Sequence, residues 1–308
     1  MEQKIFIIGT GAIGKVLAVF LKAAGRDAIL IKGHDHGGPE EVSSLQVRLT
    51  DDSQINATVR VTSINNLETL DGVVVMANKS IGNSDIADKL KQKCGQSPVV
   101  LLQNGLNIEQ PLMERGIQNV LRCVLYATSQ PLTDTTLQFK PVAPSPIGCV
   151  SGDGALLEEV VQLLDTPQFR FSSEENIQTS VWRKVIANCV FNSICPLLDT
   201  DNGIFHRNEH ARALAEEIIE ECVAIAKRDG VDLHASEVLK TVLQISKASD
   251  GQLISTLQDI KKRRPTEIDS LNFAIVRAAD RHGELKKVTK TKILGELIRL
   301  KSGLNLDS

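Results

Sequence analysis

Near its start the chain runs Lys4-Ile5-Phe6-Ile7-Ile8-Gly9-Thr10-Gly11-Ala12-Ile13-Gly14-Lys15, a compact run of strand formers ending in glycines spaced G-x-G-x-x-G. Val16, Leu17, Phe20 and Leu21 then continue apolar at helical spacing, so the order reads strand, tight turn, helix. Each glycine has a mechanical reason to be there. Gly9 allows the sharp turn, Gly11 lets backbone approach a pyrophosphate, and Gly14 lets the helix lie close to the strand. The free N–H groups at the helix start face an anion. The loop from Gly9 through Thr10, Gly11, Ala12 and Ile13 to Gly14 is therefore a candidate dinucleotide cradle.

With 308 residues the chain has the length of about two domains. Residues 27–32, 71–77 and 98–102 read as further buried strands, and 45–49, 57–61, 120–126 and 137–142 as shorter ones. Helices are expected near 84–93 and 155–164, the latter after a Pro/Ser/Gly loop. Strands alternating with helices imply parallel pairing by right-handed crossovers. From about Ile177 nearly every segment reads as helix, with Leu214, Ile218, Cys222 and Ile225 recurring at three and four. The expected architecture is α/β: an N-terminal Rossmann-type doubly wound parallel sheet over 1–173, then an all-helical substrate and catalytic domain over 174–308. The tail from Ser302 reads as a fraying end.

A net charge of −3 carries no basic excess of the kind a nucleic-acid binder needs. No apolar run approaches the roughly 20 residues that span a bilayer. The opening Met-Glu-Gln-Lys lacks the layout of a signal peptide, so a cytoplasmic protein is expected. Six cysteines are scattered without a CxxC pair, which reads as buried reduced thiols. His34 and His36 share a Gly-rich turn but have no further ligands nearby, and no metal is expected.

The strand over 27–32 ends in Lys32, where dinucleotide folds that hold the ribose of NAD place an acid. An ammonium there neutralises a 2′-phosphate, which favours NADPH/NADP+. Asp27 sits at the wrong end of the strand, while Asp35 could swing back and keeps NAD open. Lys79, just past the strand over 71–77, lies where carboxyl ends of parallel strands collect ligands, and reads as either a cofactor contact or a surface lysine.

In the second half, Lys184, Asn188 and Asn192 are spaced by four among Val185, Ile186, Val190 and Phe191, one polar face on an otherwise apolar helix. A buried amide or ammonium without a partner costs on the order of 1–3 kcal/mol or more, so such a stripe asks for partners. An exposed polar face is the plain alternative. Ser255 lies in Ser255-Thr256-Leu257-Gln258-Asp259, and Pro265-Thr266-Glu267-Ile268-Asp269 reads as a helix start with Glu267 in its first turn.

The order of these features resembles the ketopantoate reductase family. The resemblance rests on the glycine turn, Lys79, Gln103-Asn104-Gly105-Leu106, Trp182-Arg183-Lys184 with Asn188 and Asn192, Asp201-Asn202-Gly203, and the strings around Ser255 and Glu267. It implies NADPH-dependent reduction of 2-dehydropantoate to (R)-pantoate, on the route to pantothenate and coenzyme A, in a cleft between a Rossmann half and a helical half. It further implies Lys184 as general acid, Glu267 binding the substrate hydroxyl, and substrate contacts from Asn188, Asn192, Asn202 and Ser255. Asn104 would lie near the nicotinamide. The chemistry suits these types, since an ammonium stabilises the alkoxide formed as hydride reaches a keto carbon and can supply its proton.

Three positions depart from the family pattern. Gln252 replaces the usual Asn, Phe273 the usual Gly, and Glu284-Leu285-Lys286-Lys287 the usual proline-containing turn. These leave a D-2-hydroxy acid dehydrogenase acting on another 2-keto acid as an alternative, and a non-catalytic NADP(H)-binding regulator as a third. The partner expected is a small 2-keto acid, and the amphipathic helices leave room for a homodimer.

Overall fold

The computed structural model describes residues 3–33 and 38–306. Asp35, His34 and His36 lie outside the described residues. The chain divides into two compact units, one of residues 1–103 and 108–177, the other of 104–107 and 178–308.

The first unit is built on one sheet. Its strands are β1 (Lys4–Ile8), β2 (Ala28–Lys32), β3 (Glu41–Arg48), β4 (Gln54–Ser63), β5 (Gly72–Met76), β6 (Val99–Leu101), β7 (Val120–Cys123), β8 (Ala127–Pro131), β9 (Thr136–Pro141), β10 (Ser145–Ser151) and β11 (Phe171–Ser173). They lie in the order β11-β10-β7-β6-β5-β1-β2-β4-β3-β9-β8. The centre, β7-β6-β5-β1-β2-β4, is parallel throughout. The chain leaves β1 to one side through β2 and β4, then returns to the other through β5, so strand order reverses beside β1. In open α/β sheets ligands bind at such a switch point, outside the carboxyl ends of the strands.

The alternation of β1 shows why both faces are covered. Ile5 and Ile7 pack with Val16, Leu17 and Phe20 of α1 (Ala12–Ala23). Phe6 and Ile8 pack on the other side with Ile86 and Leu90 of α2 (Asn83–Lys93). Phe20, Phe139, Phe169 and Phe171 follow one another at centroid separations of 5.2, 4.9 and 4.8 Å, tying α1 to β9 and β11. A short α3 (Gln110–Glu114) and α4 (Leu156–Leu164) complete the unit.

The segment expected as a Pro/Ser/Gly loop before α4 contains β10. Pro146 lacks an N–H and reads as loop, yet its carbonyl accepts from Val124 N at 2.9 Å and Ser145 N donates to Arg170 O at 2.9 Å.

In the second unit run α5 (Ile177–Leu197), α6 (Ile204–Arg207), α7 (Glu209–Arg228), α8 (Ala235–Ala248), α9 (Ser255–Lys261), α10 (Asn272–Arg281) and α11 (Thr289–Leu306). Trp182 and Phe191 of α5 are buried, and Phe191 meets Phe205 of α6 edge-on at 4.8 Å. Glu221 of α7 accepts from Lys290 N and Thr291 N at 3.0 and 2.9 Å, satisfying two orphan donors at the start of α11. That helix continues through Leu306 where the sequence reads as a fraying tail, because Ser302 still packs on its buried face. No helix of the described residues is long and apolar enough to cross a membrane.

Candidate functional site

The glycine turn behaves as its spacing demands. Gly9 has φ +122°, and a Cβ there would stand 2.5 Å from Asn78 N and 2.7 Å from the Ala77 carbonyl carbon. A Cβ on Gly14 would stand 2.0 Å from Gly9 O. Both contacts are with backbone, which leaves no room for a side chain. Gly11 differs: a Cβ there meets nothing within 4 Å. Gly11 also occupies the N-cap of α1, where no side chain caps the helix and no acid stands in the first turn. A cap residue normally supplies an acceptor at this place; here no side chain does. The cradle therefore fits an anionic pyrophosphate, with Thr10, Ala12 and Ile13 half-buried around it.

Neighbouring strands bring the other cofactor candidates to the same sheet edge. Gly9 N donates to Ile31 O at 2.9 Å, which puts the end of β1 beside the end of β2, where Lys32 is the last residue. The Lys32 ammonium lies 2.9 Å from a Glu41 carboxylate oxygen, the lysine side chain half-buried and the glutamate exposed. Lys79 follows Asn78, the residue that crowds Gly9, and precedes a short 3-10 turn, Ser80–Gly82. Beneath it lies a feature sequence reasoning missed: the amides of Asn83 and Gln103 exchange hydrogen bonds of 2.9 and 2.8 Å, both residues buried. Asn83 also donates to Ile108 O at 2.9 Å. Asn104 follows Gln103 but belongs with 105–107 to the second unit, where Leu106 N donates to Ser270 O at 2.9 Å.

In that second unit α5 carries the polar stripe. From Val181 to Pro196 every residue is buried except Arg183, Lys184 and Asn188. Lys184 and Asn188, one turn apart, thus leave an ammonium and an amide part-accessible on one strip of a largely enclosed helix, while Arg183 is part-accessible on another side. Asn188 makes no side-chain hydrogen bond within the described residues. One turn further, Asn192 is 2 % exposed. Its Oδ1 accepts from Ser255 Oγ and from Thr256 N, both at 3.2 Å. Because a backbone N–H can only donate, the atom facing it must be the oxygen, which leaves Nδ2 as a donor on the other side.

Asn202 joins this cluster through the same segment. Asn202 N donates to Gln252 O at 2.9 Å, three residues before Ser255, and Ser246 Oγ donates to Asn202 O at 2.7 Å. The Asn202 Oδ1 is buried and has no hydrogen-bond partner among the described residues. An orphaned buried acceptor costs about 1–3 kcal/mol, and such atoms call for a ligand or water.

The turn that carries Asn202 is latched by a second set of groups that spacing alone does not reveal. Asp201 Oδ1 accepts from Gly203 N at 2.7 Å and Gly251 N at 3.2 Å, and both carboxylate oxygens take the Arg207 guanidinium. Arg207 also pairs with Asp250. The Arg207 hydrogen bonds, with help from the two N–H groups, lower the Asp201 pKa to about 2. A Cβ on Gly203 would meet the ends of the Arg207 and Asp250 side chains and displace that pair.

Glu267 is half-buried and caps a 3-10 turn, Ile268–Ser270, with α10 starting only at Asn272. It does not lie in a first helical turn as its sequence implies, because Ser270 N and Ser270 Oγ both close back on Glu267 O at 3.0 and 2.9 Å. The same Ser270 holds Leu106 N, which gathers the stretch after Asn104 and the stretch after Glu267 into one cluster. Phe273 packs away from these polar groups, with Ile268 and Ile298, under the Arg299 guanidinium at 3.7 Å and against Gly295. Burial and the nearby Asp201 raise the Cys195 thiol to about 12, which removes it as a nucleophile.

A glycine cradle at a switch point, with a lysine and amide cluster on a separate helical unit, defines the class: a nicotinamide nucleotide oxidoreductase of two units. Residues 5–149 match the family described as Ketopantoate reductase PanE/ApbA, and residues 176–301 match Ketopantoate reductase PanE/ApbA C terminal. The chain belongs to the ketopantoate reductase family. It is 27% identical over 279 residues to 2-dehydropantoate 2-reductase of Pyrococcus horikoshii, covering 90% of this chain and 91% of that one. In fold it is similar to D-mandelate dehydrogenase bound to NADH and anilino(oxo)acetate (TM-score 0.84, 21% identity, 98% and 99% of the two chains). It is also similar to a dimeric ketopantoate reductase from Staphylococcus aureus (TM-score 0.80, 21% identity, 98% and 99%).

Proposed function

We propose that the protein reduces 2-dehydropantoate to (R)-pantoate with NADPH, serving pantothenate and coenzyme A synthesis. The observation that carries this reading is the part-accessible strip of α5 that holds Lys184 and Asn188 and leads to an Asn192 whose amide is oriented by Ser255 and Thr256. The cofactor, when bound, supplies the hydride to the keto carbon. Gly9, Thr10, Gly11, Ala12, Ile13 and Gly14 would hold its pyrophosphate, Lys32 and Lys79 would meet its phosphate or ribose, and Asn104 would serve the nicotinamide.

Lys184 donates to the carbonyl oxygen as it gains charge and then transfers its proton. Asn188 and the Nδ2 of Asn192 donate to the substrate carboxylate or ketone, and Ser255 fixes the Asn192 amide. The Oδ1 of Asn202, buried without a hydrogen-bond partner among the described residues, accepts from a substrate hydroxyl, and the Glu267 carboxylate is a second acceptor for it. Donors for a keto acid beside acceptors for an alcohol select a hydroxylated 2-keto acid. Loss of NADPH absorbance with ketopantoate and with a panel of 2-keto acids tests the proposal; failure to turn over any of them overturns it.

A second reading, a D-2-hydroxy acid dehydrogenase, draws on the fold likeness to D-mandelate dehydrogenase and on Gln252. Of the sequence departures, Phe273 supports it least, since its ring is taken up by α11. Relative kcat/KM for ketopantoate against aromatic and branched 2-keto acids separates the two.

A further inference from the structure

Three stretches beyond the carboxyl ends of β5 and β6 meet at one side chain. Asn83, the first residue of α2, is 3% exposed. Its Nδ2 donates to Ile108 O and to Gln103 Oε1, both at 2.9 Å. Its Oδ1 accepts from Gln103 Nε2 at 2.8 Å and from Asn78 Nδ2 at 3.4 Å. An amide has two protons and an oxygen with two lone pairs, so Asn83 has every one engaged. A carbonyl can only accept, and Ile108 O therefore fixes which way the whole amide points. Asparagine at a helix start ordinarily bonds nearby backbone. Asn83 instead reaches Gln103 and Ile108, 20 and 25 residues away.

Gln103 and Ile108 are the two ends of a short excursion that carries Asn104. Within it Gly105 and Asn107 hold φ of +121° and +57°. Such backbone, above all at a residue other than glycine, persists only where the surroundings over-determine it. Asn83 grips both ends of the excursion, and Ser270 O holds its middle through Leu106 N.

We propose that Asn83 is a positioning residue for the reduction: by clamping Gln103 and Ile108 it fixes the backbone that carries Asn104. The inference rests on the reading above in which Asn104 serves the nicotinamide. Asn83 itself touches no reacting atom and acts through Asn104. Hydride transfer is sensitive to such placement, a shift of about 1 Å in a positioning group costing on the order of 10²-fold in rate. The Asn78 bond gives the clamp a second use, since Asn78 also borders the Gly9 turn and its Nδ2 donates to Lys79 O at 2.8 Å.

Two variants of the full chain provide the test. Asn83→Leu keeps the volume and removes all four bonds. Gln103→Met removes the exchange but leaves Asn83 Nδ2 on Ile108 O, and it serves if the first variant fails to fold. Amide hydrogen exchange of residues 104–107, measured without cofactor, should quicken about tenfold as the excursion loosens. The kcat with ketopantoate should fall roughly tenfold to a hundredfold, while affinity for 2′-phospho-ADP-ribose, which lacks the nicotinamide, stays as in wild type. In an Asn104→Ala background the Asn83 substitution should cost no further kcat, because nothing is left for it to position. Unchanged exchange or kcat in both variants, a loss as large without Asn104 as with it, or a fall in affinity for 2′-phospho-ADP-ribose that matches the fall in kcat would each overturn the inference alone. Asn104→Ala with wild-type kcat, or a wild-type chain that reduces no 2-keto acid, would overturn the underlying reading and the inference with it.

Discussion

Asn192 and Ser255 stand 63 residues apart in sequence and meet through one hydrogen bond of 3.2 Å, the hydroxyl donating to Oδ1. The adjacent Thr256 N donates to the same oxygen. One buried amide thus joins α5 to the start of α9 and at the same time has its own orientation fixed.

Asn192→Ala removes the shared acceptor, and two donors lose their partner. A stability loss of about 1–3 kcal/mol is expected, read from chemical denaturation. Asn192→Asp keeps both accepted bonds but replaces the outward donor with a carboxylate oxygen. Burial of that charge should lower the melting temperature, and KM for the keto acid should rise at least tenfold. A KM unchanged in Asn192→Asp would remove the amide from substrate binding.

Lys184 is half-buried on the open strip of α5. Removing a positioned proton donor costs about 10²–10⁴ in rate. Lys184→Ala should show that loss in kcat with NADPH affinity, followed by fluorescence titration, little altered. If the affinity fell and kcat held, the lysine would belong to the cofactor and not to the acid step.

Gly11 and Gly14 separate binding from folding. Gly11→Ala places its methyl group where no protein atom lies within 4 Å and where φ is an ordinary −74°. Stability should stay as it was, while dinucleotide affinity drops tenfold or more because the methyl occupies ligand space. Gly14→Ala drives a Cβ to 2.0 Å from Gly9 O and should lower the melting temperature even without cofactor. Equal affinity in Gly11→Ala and wild type would place the pyrophosphate elsewhere.

Lys32 and Glu41 form a part-exposed pair at 2.9 Å, and surface pairs contribute about 0–1 kcal/mol. A 2′-phosphate can therefore draw the ammonium away at small cost. Lys32→Glu should weaken NADPH far more than NADH. Glu41→Gln, by removing this carboxylate's hold on the ammonium, should lower KM for NADPH several-fold and leave NADH alone. The same response to both nucleotides would end the argument for a phosphate-binding lysine.

What the sequence discloses here follows from the range of each interaction. The glycine turn and the Lys184, Asn188, Asn192 stripe are local patterns, set by steric needs within one turn or by the helical period, and both are legible. Strand β10 is masked by Pro144 and Pro146, whose ring chemistry says loop while the carbonyl of Pro146 is paired. Glu267 looks like a first-turn residue until Ser270 closes back on it. The Glu41 partner of Lys32, the Asn83–Gln103 amide exchange and the Asp201–Arg207–Asp250 latch join residues across turns and between elements, and no helical or strand period announces them.

That latch governs the behaviour of the protein in acid. Arg207 and the N–H groups of Gly203 and Gly251 hold the Asp201 pKa at about 2, below its ordinary 3.8. A group whose folded pKa is depressed contributes stability that is fully present above the unfolded value and is lost as pH falls through the folded one. The window runs from about pH 4 down to about pH 2. Asp201→Asn loses the charge-assisted bonds to Arg207, so its melting temperature at neutral pH should fall below wild type and its acid slope within this window should be shallower. Because Asn202 follows directly and its backbone N–H is bound to Gln252 O, slackening the latch should also raise KM for the keto acid at neutral pH. Thermal melts at steps across the window, with steady-state kinetics of the same variant, check both; parallel acid slopes for variant and wild type would show that Asp201 is not the titrating group.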